Sequence, residues 1–332
     1  MSATDPTTSA LLKTLLTARD GYVSDGELAR KTGASRETIR ARLEPLRSEG
    51  FRVERVADCG YRLTQKPNSL NPWATAAFLV GQEEIPELIF LSSIDSTNDH
   101  AARLLAHNYD TPFFVVTNEQ TKGRGRMGRK WHSPPSRNLY LSFASRPRVN
   151  HDRIRLFTLW MGARIARDLG QWLGVRIRLK WPNDLYYEGR KLGGMLTETR
   201  GDADTVRQLV FGVGLNVNQR REDWPAELGN SATSLREIMG QSLDLNRANA
   251  RLIKSVWSAY GPFAAGSVRR PFEDLWPGLD ALRGRSIRAE MGGVVYSGIA
   301  SGLDDGGSLI VKTGSGKLVT LNAGNVHITT TD

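Results

Sequence analysis

The sequence contains a single cysteine, Cys59, among its 332 residues. One cysteine cannot form an intramolecular disulfide, and without a cysteine cluster the chain offers no thiolate zinc site. The sequence also lacks any run of the roughly 18–20 consecutive apolar residues that a membrane-spanning helix needs. Met1–Ala10 is polar and has neither the basic start nor the apolar centre of a signal peptide. These absences predict a cytoplasmic protein with no membrane partner and no protein-bound metal.

The charge of the chain is strongly positive. Its 45 lysines and arginines exceed its 35 acidic residues, which gives a formal net charge of +10. Such an excess attracts polyanions and favours nucleic acids, nucleotides or other anionic ligands, without selecting among them. The hydrophobic share of 39% is ordinary for a globular protein, and the length allows two or three domains.

Residues 1–66 are predicted to form a winged helix-turn-helix domain. After a first leucine-rich helix, Ser24–Glu27 has the pattern of a helix start, and Gly33 separates this second helix from a third over Ser35–Ser48. Phe51–Leu63 then alternates apolar and charged residues about a turn, which predicts a β-hairpin. Helices and hairpin in this order are typical of winged helices.

The third helix would enter the major groove of DNA. Its candidates for phosphate and base contacts are Ser35, Arg36, Thr38, Arg40 and Arg42. Residues 1–66 carry twelve basic against nine acidic residues, so this part of the chain is only mildly basic. A three-helix packing module with solvated arginines is the alternative that remains open.

The rest of the chain is predicted to be mixed in structure. Residues 67–72, with two prolines, are predicted to be a linker. Residues 73–267 combine strand and helix patterns, including a helix over Ile154–Leu173 and a strand over Val175–Leu179, and predict an α+β domain with a mixed or antiparallel sheet. Residues 268–332 contain short strands separated by glycine and aspartate, which predict a small β-barrel.

The densest chemical signal is Gly123–Trp131, with three glycines and four arginines or lysines within nine residues. Glycines allow a ligand to approach the backbone closely, and arginines bind carboxylate and phosphate oxygens. A dinucleotide fingerprint is excluded because the residues that follow, Trp131–Pro135, cannot begin a regular helix. A Walker A loop is excluded because Gly128 is followed by Arg129 and Lys130, where that motif requires Lys and then Ser or Thr. The segment predicts a loop that closes over an anionic ligand; a mobile surface loop is the alternative.

Three further segments combine cations, amides and glycines. They are Lys180–Asp184, Lys191–Leu196 and Gly212–Asn218. Asparagine and aspartate beside a cation suit ribose, amine or metal contacts, and glycines within strands often mark a ligand pressed against the backbone. Each segment alone is more often structural, so the argument depends on their combination.

Together with Ser96–Asn98, these segments occur in the order and approximate spacing of the biotin protein ligases, and the N-terminal domain makes the chain resemble the bifunctional ligase–repressor subgroup. The resemblance covers nearly the whole chain and implies an SH3-like C-terminal barrel. It implies biotin contacts at Ser96, Thr97, Asn98, Gln120, Arg124, Gly125, Arg126 and Lys191. It implies ATP or adenylate contacts at Trp131, Lys180, Asn183, Asp184 and Asn216.

The chain departs from the family pattern at three positions. The family often has arginine where Met127 stands, an acidic residue where Asn325 stands, and in some members an arginine where Thr329 stands. Met127 lies in a loop that is already rich in arginine, so the first change is expected to affect the affinity of the loop only slightly. The other two put the contribution of the C-terminal domain to ATP binding in doubt.

The resemblance implies that Mg·ATP and biotin form biotinyl-5′-adenylate, from which a lysine of the biotin carboxyl carrier protein of acetyl-CoA carboxylase receives the biotin. Lys191, Arg124, Arg126 and Asp184 are the expected catalytic residues; Mg²⁺ would arrive with ATP. The adenylate would also act as corepressor, promoting a homodimer that binds operator DNA. Open alternatives are a biotin-sensing regulator without catalysis, a ligase that has lost operator binding, and a lipoate-type ligase.

Overall fold

The structure, a computed structural model, describes residues 5–18, 21–81 and 84–329. Its N-terminal part has the predicted order of helices and hairpin: α1 Pro6–Thr17, α2 Asp25–Thr32, α3 Arg36–Ser48, β1 Arg52–Val56 and β2 Gly60–Gln65. Side-chain oxygens of Asp5, Ser24 and Ser35 accept hydrogen bonds from the first turns of the three helices, whose N–H groups have no partner within the helix. The winged helix-turn-helix is confirmed.

The apolar faces of these helices meet in one cluster. Ile39, Leu43 and Leu46 of α3 are all buried there. Gly33 ends α2 in the left-handed conformation, with φ of 67°, which glycine adopts without steric cost. Because the apolar face of α3 is buried, the exposed side chains of Arg36 and Arg40 lie on its outer side.

The segment after the hairpin is packed onto the protein. Pro72 begins α4 Pro72–Leu79, Asn71 caps this helix, and Leu70 and Asn71 are buried. Helix α4 contacts both α1 and α8 Leu245–Ala264. The last residue of the predicted linker is therefore the first residue of a helix, because proline suits a first helical turn as well as a loop. The domain limits themselves stay predictions.

The central part has one mixed eight-stranded sheet with strand order β3-β4-β5-β10-β9-β8-β7, and β6 pairs with β10 beside this path. Among the described strands of this sheet, only β3 and β4 pair in parallel, and the other pairs are antiparallel. The strands are β3 Glu87–Leu91, β4 Phe113–Thr117, β5 Leu139–Ser145, β6 Val149–Asn150, β7 Arg178–Lys180, β8 Asp184–Tyr187, β9 Arg190–Gly201 and β10 Thr205–Leu215. The remaining helices are α5 Thr97–Ala106, α6 Arg153–Leu173, α7 Leu235–Met239 and α9 Arg269–Leu275. The predicted mixed sheet is confirmed.

Strand β7 is shorter than the predicted Val175–Leu179 pattern. The N–H group of Val175 donates to the carbonyl of Gly170 and so closes the end of α6, beside Gly174 with φ of 70°. Only Arg178–Lys180 pairs with β8. On its other side, Leu179 exchanges backbone hydrogen bonds with Leu279 and Ala281, which lead into the C-terminal domain.

The C-terminal part is a five-stranded antiparallel sheet with strand order β14-β13-β12-β11-β15. Its strands are β11 Ser286–Met291, β12 Val294–Leu303, β13 Leu309–Thr313, β14 Leu318–Leu321 and β15 Asn325–Ile328. Its buried side chains belong to the same apolar cluster as α6, α8 and the central sheet. The C-terminal sheet is therefore attached to the central domain by a continuous core, which fixes the loop before β15 near the central sheet.

Candidate active site

A cavity of about 390 Å³ opens beside the glycine-rich parts of β9 and β10. Every residue predicted to contact biotin or the adenylate lines it: Ser96, Thr97, Asn98, Gln120, Arg124, Gly125, Arg126, Trp131, Lys180, Asn183, Asp184, Lys191 and Asn216. These residues come from distant parts of the chain, so their meeting in one cavity is a property of the fold and not of local sequence.

Lys191 and Asp184 form the charged centre of the cavity. The Nζ atom of Lys191 lies 2.7 Å from Oδ1 of Asp184 and 5.2 Å from the centroid of the Trp131 ring. Backbone pairing of β8 with β9 places the two residues together, and the N–H group of Lys191 is fixed by the carbonyl of Ser231. The ammonium group is therefore held between a carboxylate and an aromatic face before any ligand binds.

The glycines of β9 and β10 make room for the indole of Trp131. A Cβ atom on Gly214 would lie 2.5 Å from the indole, and one on Gly194 would lie 3.2 Å from it. The indole Nε1 is buried and has no hydrogen-bond partner among the described residues. A buried unpaired donor is costly, so this N–H group suits a polar acceptor on a ligand.

The floor of the cavity is a connected hydrogen-bond network. Oε1 of Gln120 accepts from both the N–H (2.9 Å) and the hydroxyl (3.1 Å) of Thr97, and its Nε2 donates to Ser133. Ser142 donates to Oδ1 of Asn98 at 2.6 Å, and the amide nitrogen of Asn98 donates to Glu198 at 2.7 Å. These side chains are thus fixed in orientation, as a site for a specific polar ligand requires.

The arginines of the Gly123–Trp131 loop contact three different parts of the protein. The guanidinium of Arg124 contacts the carboxylates of Asp99 and Glu198, Arg126 lies 3.5 Å from Oδ1 of Asn183, and Arg129 donates to Oδ1 of Asn325 at 2.8 Å. Burial lowers the pKa of Arg126 from its usual value, and the nearby Asp184 opposes that effect. The charged end of Arg124 therefore makes contacts within the protein that attach the loop to α5 and β9.

The C-terminal domain takes part in the cavity in a way that the sequence did not predict. His327 of β15 lines the cavity, and Asn325 accepts the hydrogen bond from Arg129 that an acidic residue at this position would also accept. Sequence reasoning also missed Tyr186, whose ring lies 5.1 Å from Nζ of Lys180. The side-chain amide of Asn216 donates to the carbonyl of Thr233. This hydrogen bond fixes the backbone just after the end of β10.

The candidate DNA contacts on α3 divide into two groups. Arg36 and Arg40 are exposed, while Arg42 is partly buried and lies 3.6 Å from Asp5 of the helix α1 cap. Ser35 and Thr38 share a hydrogen bond at the start of α3. Arg36 and Arg40 are therefore the stronger candidates, because Arg42 is partly engaged in packing α3 against α1.

Three family models match the chain: the biotin/lipoate A/B protein ligase family over residues 90–216, the biotin protein ligase C-terminal domain over residues 283–328 and an HTH domain over residues 7–62. The bifunctional ligase/repressor BirA of Bacillus subtilis (strain 168) is 31% identical over 306 residues, which are 92% of this chain and 94% of that protein. The chain belongs to the bifunctional biotin protein ligase/repressor family. BirA of Escherichia coli (strain K12) is 32% identical over 91% of this chain and 92% of that protein.

The fold agrees with this membership. The biotin protein ligase of Aquifex aeolicus, solved in complex with biotin and ATP, matches with a TM-score of 0.63 and 29% identity over 73% of this chain and 99% of that chain. In the present chain, the region that matches the ligase family model contains every cavity motif from Ser96 to Asn216. The matched HTH region runs from the first turn of α1 to the start of β2. None of the helices in the described part of the chain combines the length and the apolar composition that a membrane span requires.

Proposed function

We propose that this protein forms biotinyl-5′-adenylate from biotin and ATP and transfers the biotin to a lysine of the biotin carboxyl carrier protein. The observation that carries the proposal is the position of the Lys191 ammonium, between Asp184 and Trp131 in a cavity lined by all the predicted ligand contacts. Membership of the ligase/repressor family supports the same reaction.

The first half-reaction needs positive charge. When the biotin carboxylate attacks the α-phosphate, negative charge develops on phosphate oxygens, and fixed cations stabilise it. Six cations line the cavity, against Asp184 as its single acidic residue among those described: Arg124, Arg126, Arg129, Lys130, Lys180 and Lys191. Lys191 is the first candidate for this role, because its ammonium is held by the Asp184 carboxylate and its backbone N–H is fixed by the carbonyl of Ser231.

The nucleotide brings the Mg²⁺ ion in this proposal. Among the described residues, no group of three or more His, Cys, Asp or Glu side chains is placed to hold a metal ion. Mg²⁺ commonly binds through substrate phosphates and one or two carboxylates, and Asp184 is the carboxylate that the cavity offers. The ion would neutralise charge on the phosphates of ATP.

The second half-reaction uses the same carboxylate. The lysine amine of the carrier protein attacks the acyl carbon, and AMP leaves. Asp184 is the candidate to orient this amine or take its proton, because it is the acidic side chain in the cavity and a partner of Lys191. No protein nucleophile is needed.

The winged helix supports a second activity, the repression of biotin biosynthesis genes. The adenylate is the proposed corepressor, and it acts by promoting a homodimer that presents two winged helices to a palindromic operator. Arg36 and Arg40 are the proposed contacts, since both are exposed on the outer side of α3.

The test is transfer of labelled biotin to an apo carrier domain with Mg·ATP. The wild type is compared with Lys191→Ala and with Lys312→Ala, a control at an exposed lysine of β13 outside the cavity. We expect Lys191→Ala to lower transfer by roughly 100-fold or more, as loss of a group that stabilises transition-state charge does, and Lys312→Ala to have no effect. A folded wild type that transfers no biotin would instead point to a biotin-sensing repressor without catalysis.

A further inference from the structure

Two carboxylates outside the predicted site hold one arginine of the Gly123–Trp131 loop. Asp99, in the first turn of α5, and Glu198 of β9 both contact Nη2 of Arg124; the Glu198 distance is 3.3 Å. Neither acid lines the cavity, and neither has a role in the proposed reaction. Their shared partner belongs to the loop that is expected to cover the ligand.

The opposite side of the loop is tied differently. Arg129 donates to the neutral amide oxygen of Asn325 in the C-terminal domain at 2.8 Å, and its carbonyl accepts from the N–H group of Gly125 at 2.7 Å. The loop therefore has a charged attachment to the central domain at Arg124 and a neutral attachment to the C-terminal domain at Arg129.

We propose that Asp99 and Glu198 form a latch that keeps the loop closed by holding Arg124, and that Asp99 is a positioning residue for retention of the adenylate. Glu198 extends the latch to the cavity floor, because its other carboxylate oxygen accepts from the Asn98 amide at 2.7 Å. Opening of the latch lets the adenylate escape or meet water before a carrier lysine arrives. The claim about the adenylate rests on the proposed function; the claim about the loop does not.

The expected effect is moderate and dependent on salt. The Arg124 and Asp99 side chains are 41% and 36% exposed, so water and ions weaken their attraction. Removal of one carboxylate from the pair should make the loop open about three to ten times more often, in line with exposed ion pairs that form a small network. High salt should produce a similar change in the wild type.

The first test uses the ligand-free full-length protein. Trypsin can cut the loop after Arg124, Arg126, Arg129 and Lys130. We expect Asp99→Asn to raise the cleavage rate within the loop about three- to tenfold. Asp99→Glu keeps the charge and should stay within about twofold of the wild type, while Asp110→Asn, the same change at an exposed residue outside the cavity, should leave cleavage unchanged.

The second test measures how long the adenylate stays bound. Complexes formed with labelled biotin and ATP are diluted into excess unlabelled biotin, at low and at high salt. We expect Asp99→Asn to lose label about three to ten times faster than the wild type at low salt, and the two to converge at high salt.

Unchanged loop cleavage and unchanged label loss in Asp99→Asn would overturn the latch. Faster loss that persists at high salt would also overturn it, since that result means that Asp99 acts without the ion pair. If the wild type forms no adenylate, the proposed function fails, whereas the trypsin comparison still decides whether the latch holds the loop.

Discussion

Asn118 holds the backbone of Leu70 with both ends of its amide. Its Oδ1 accepts from the N–H group of Leu70 at 2.9 Å, and its Nδ2 donates to the carbonyl of Leu70 at 3.2 Å. Leu70 lies between the winged hairpin and α4, whereas Asn118 directly follows β4 and precedes Gln120 of the cavity floor by two residues. The segment that connects the winged helix to α4 is thus anchored next to the candidate biotin site.

Replacing Asn118 by alanine should weaken this attachment. Two backbone groups of a partly buried segment would lose their partners, which costs about 1–3 kcal/mol per unsatisfied group in the free energy of unfolding. We expect a lower Tm by calorimetry, with an N-terminal transition that separates from the main one. Asn230→Ala, at an exposed asparagine, should leave the profile unchanged. An unaltered calorimetric transition for Asn118→Ala would show that the two hydrogen bonds between Asn118 and Leu70 contribute nothing to stability.

Gly214→Ala tests the platform on which the Trp131 indole lies. The added methyl group would lie 2.5 Å from the indole, so the ring must leave the position in which it lies beside the Lys191 ammonium. We expect adenylate formation to fall roughly 100-fold, the cost of displacing a positioning group by about an ångström, with a change in tryptophan fluorescence. Gly26→Ala, where a methyl group meets no atom within 4 Å, is the control. A normal rate of adenylate formation by Gly214→Ala would show that the position of the Trp131 indole does not matter for the reaction.

The pH dependence of ATP use should report on Lys180. Burial lowers the pKa of its ammonium below the ordinary 10.5, Asp184 opposes this, and the charges of Lys191 and Arg129 lower it further. Lys180 is therefore charged, and contributes to binding of the ATP phosphates, below its lowered pKa. This contribution is lost as pH rises through that pKa, at a lower pH than the one at which an exposed lysine loses its charge. We expect the KM for ATP to rise over this alkaline range in the wild type and to rise less in Lys180→Arg, whose guanidinium stays charged. Equal profiles for the two proteins would exclude Lys180 from ATP binding.

Operator binding should depend on the exposed arginines of α3. For a duplex selected from random DNA with the wild type, we expect Arg36→Ala plus Arg40→Ala to weaken binding and to reduce the slope of log affinity against log salt by about two, one for each lost phosphate contact. Arg47→Ala removes a charge from the same helix at a residue that is paired with Glu44, and should change the slope little. If the double variant binds with an unchanged slope, α3 does not contact the phosphates.

Much of the fold could be predicted because local patterns determine it. The helices and hairpin of the N-terminal domain, the long helix α6 and the short C-terminal strands all follow from periodicity and turn residues. The start of α4 at Pro72 and the short β7 could not be predicted, since a proline suits either a turn or a first helical turn, and the pattern at Val175 continues past the residue whose N–H group closes α6.

The sequence motifs of the candidate site could be predicted, but the contacts between the side chains of these motifs and distant residues could not. The glycine–arginine loop is visible as a segment, yet the partners of Arg124 lie 25 and 74 positions away, at Asp99 and Glu198. Asn325 lies 196 positions from Arg129. Contacts of this kind depend on how strands and helices are arranged in space, and no spacing rule along a single chain contains that information.

The measurement that tests the central claim most directly is biotin-dependent exchange of labelled pyrophosphate into ATP by the wild type, without any carrier protein. The account predicts exchange that requires biotin and Mg²⁺, that lipoate does not support in place of biotin, and that Lys191→Ala lowers roughly 100-fold. Absence of exchange in a folded protein that still binds biotin would contradict it and leave a sensor without catalysis. Exchange supported equally by lipoate would contradict the assignment of biotin as the substrate.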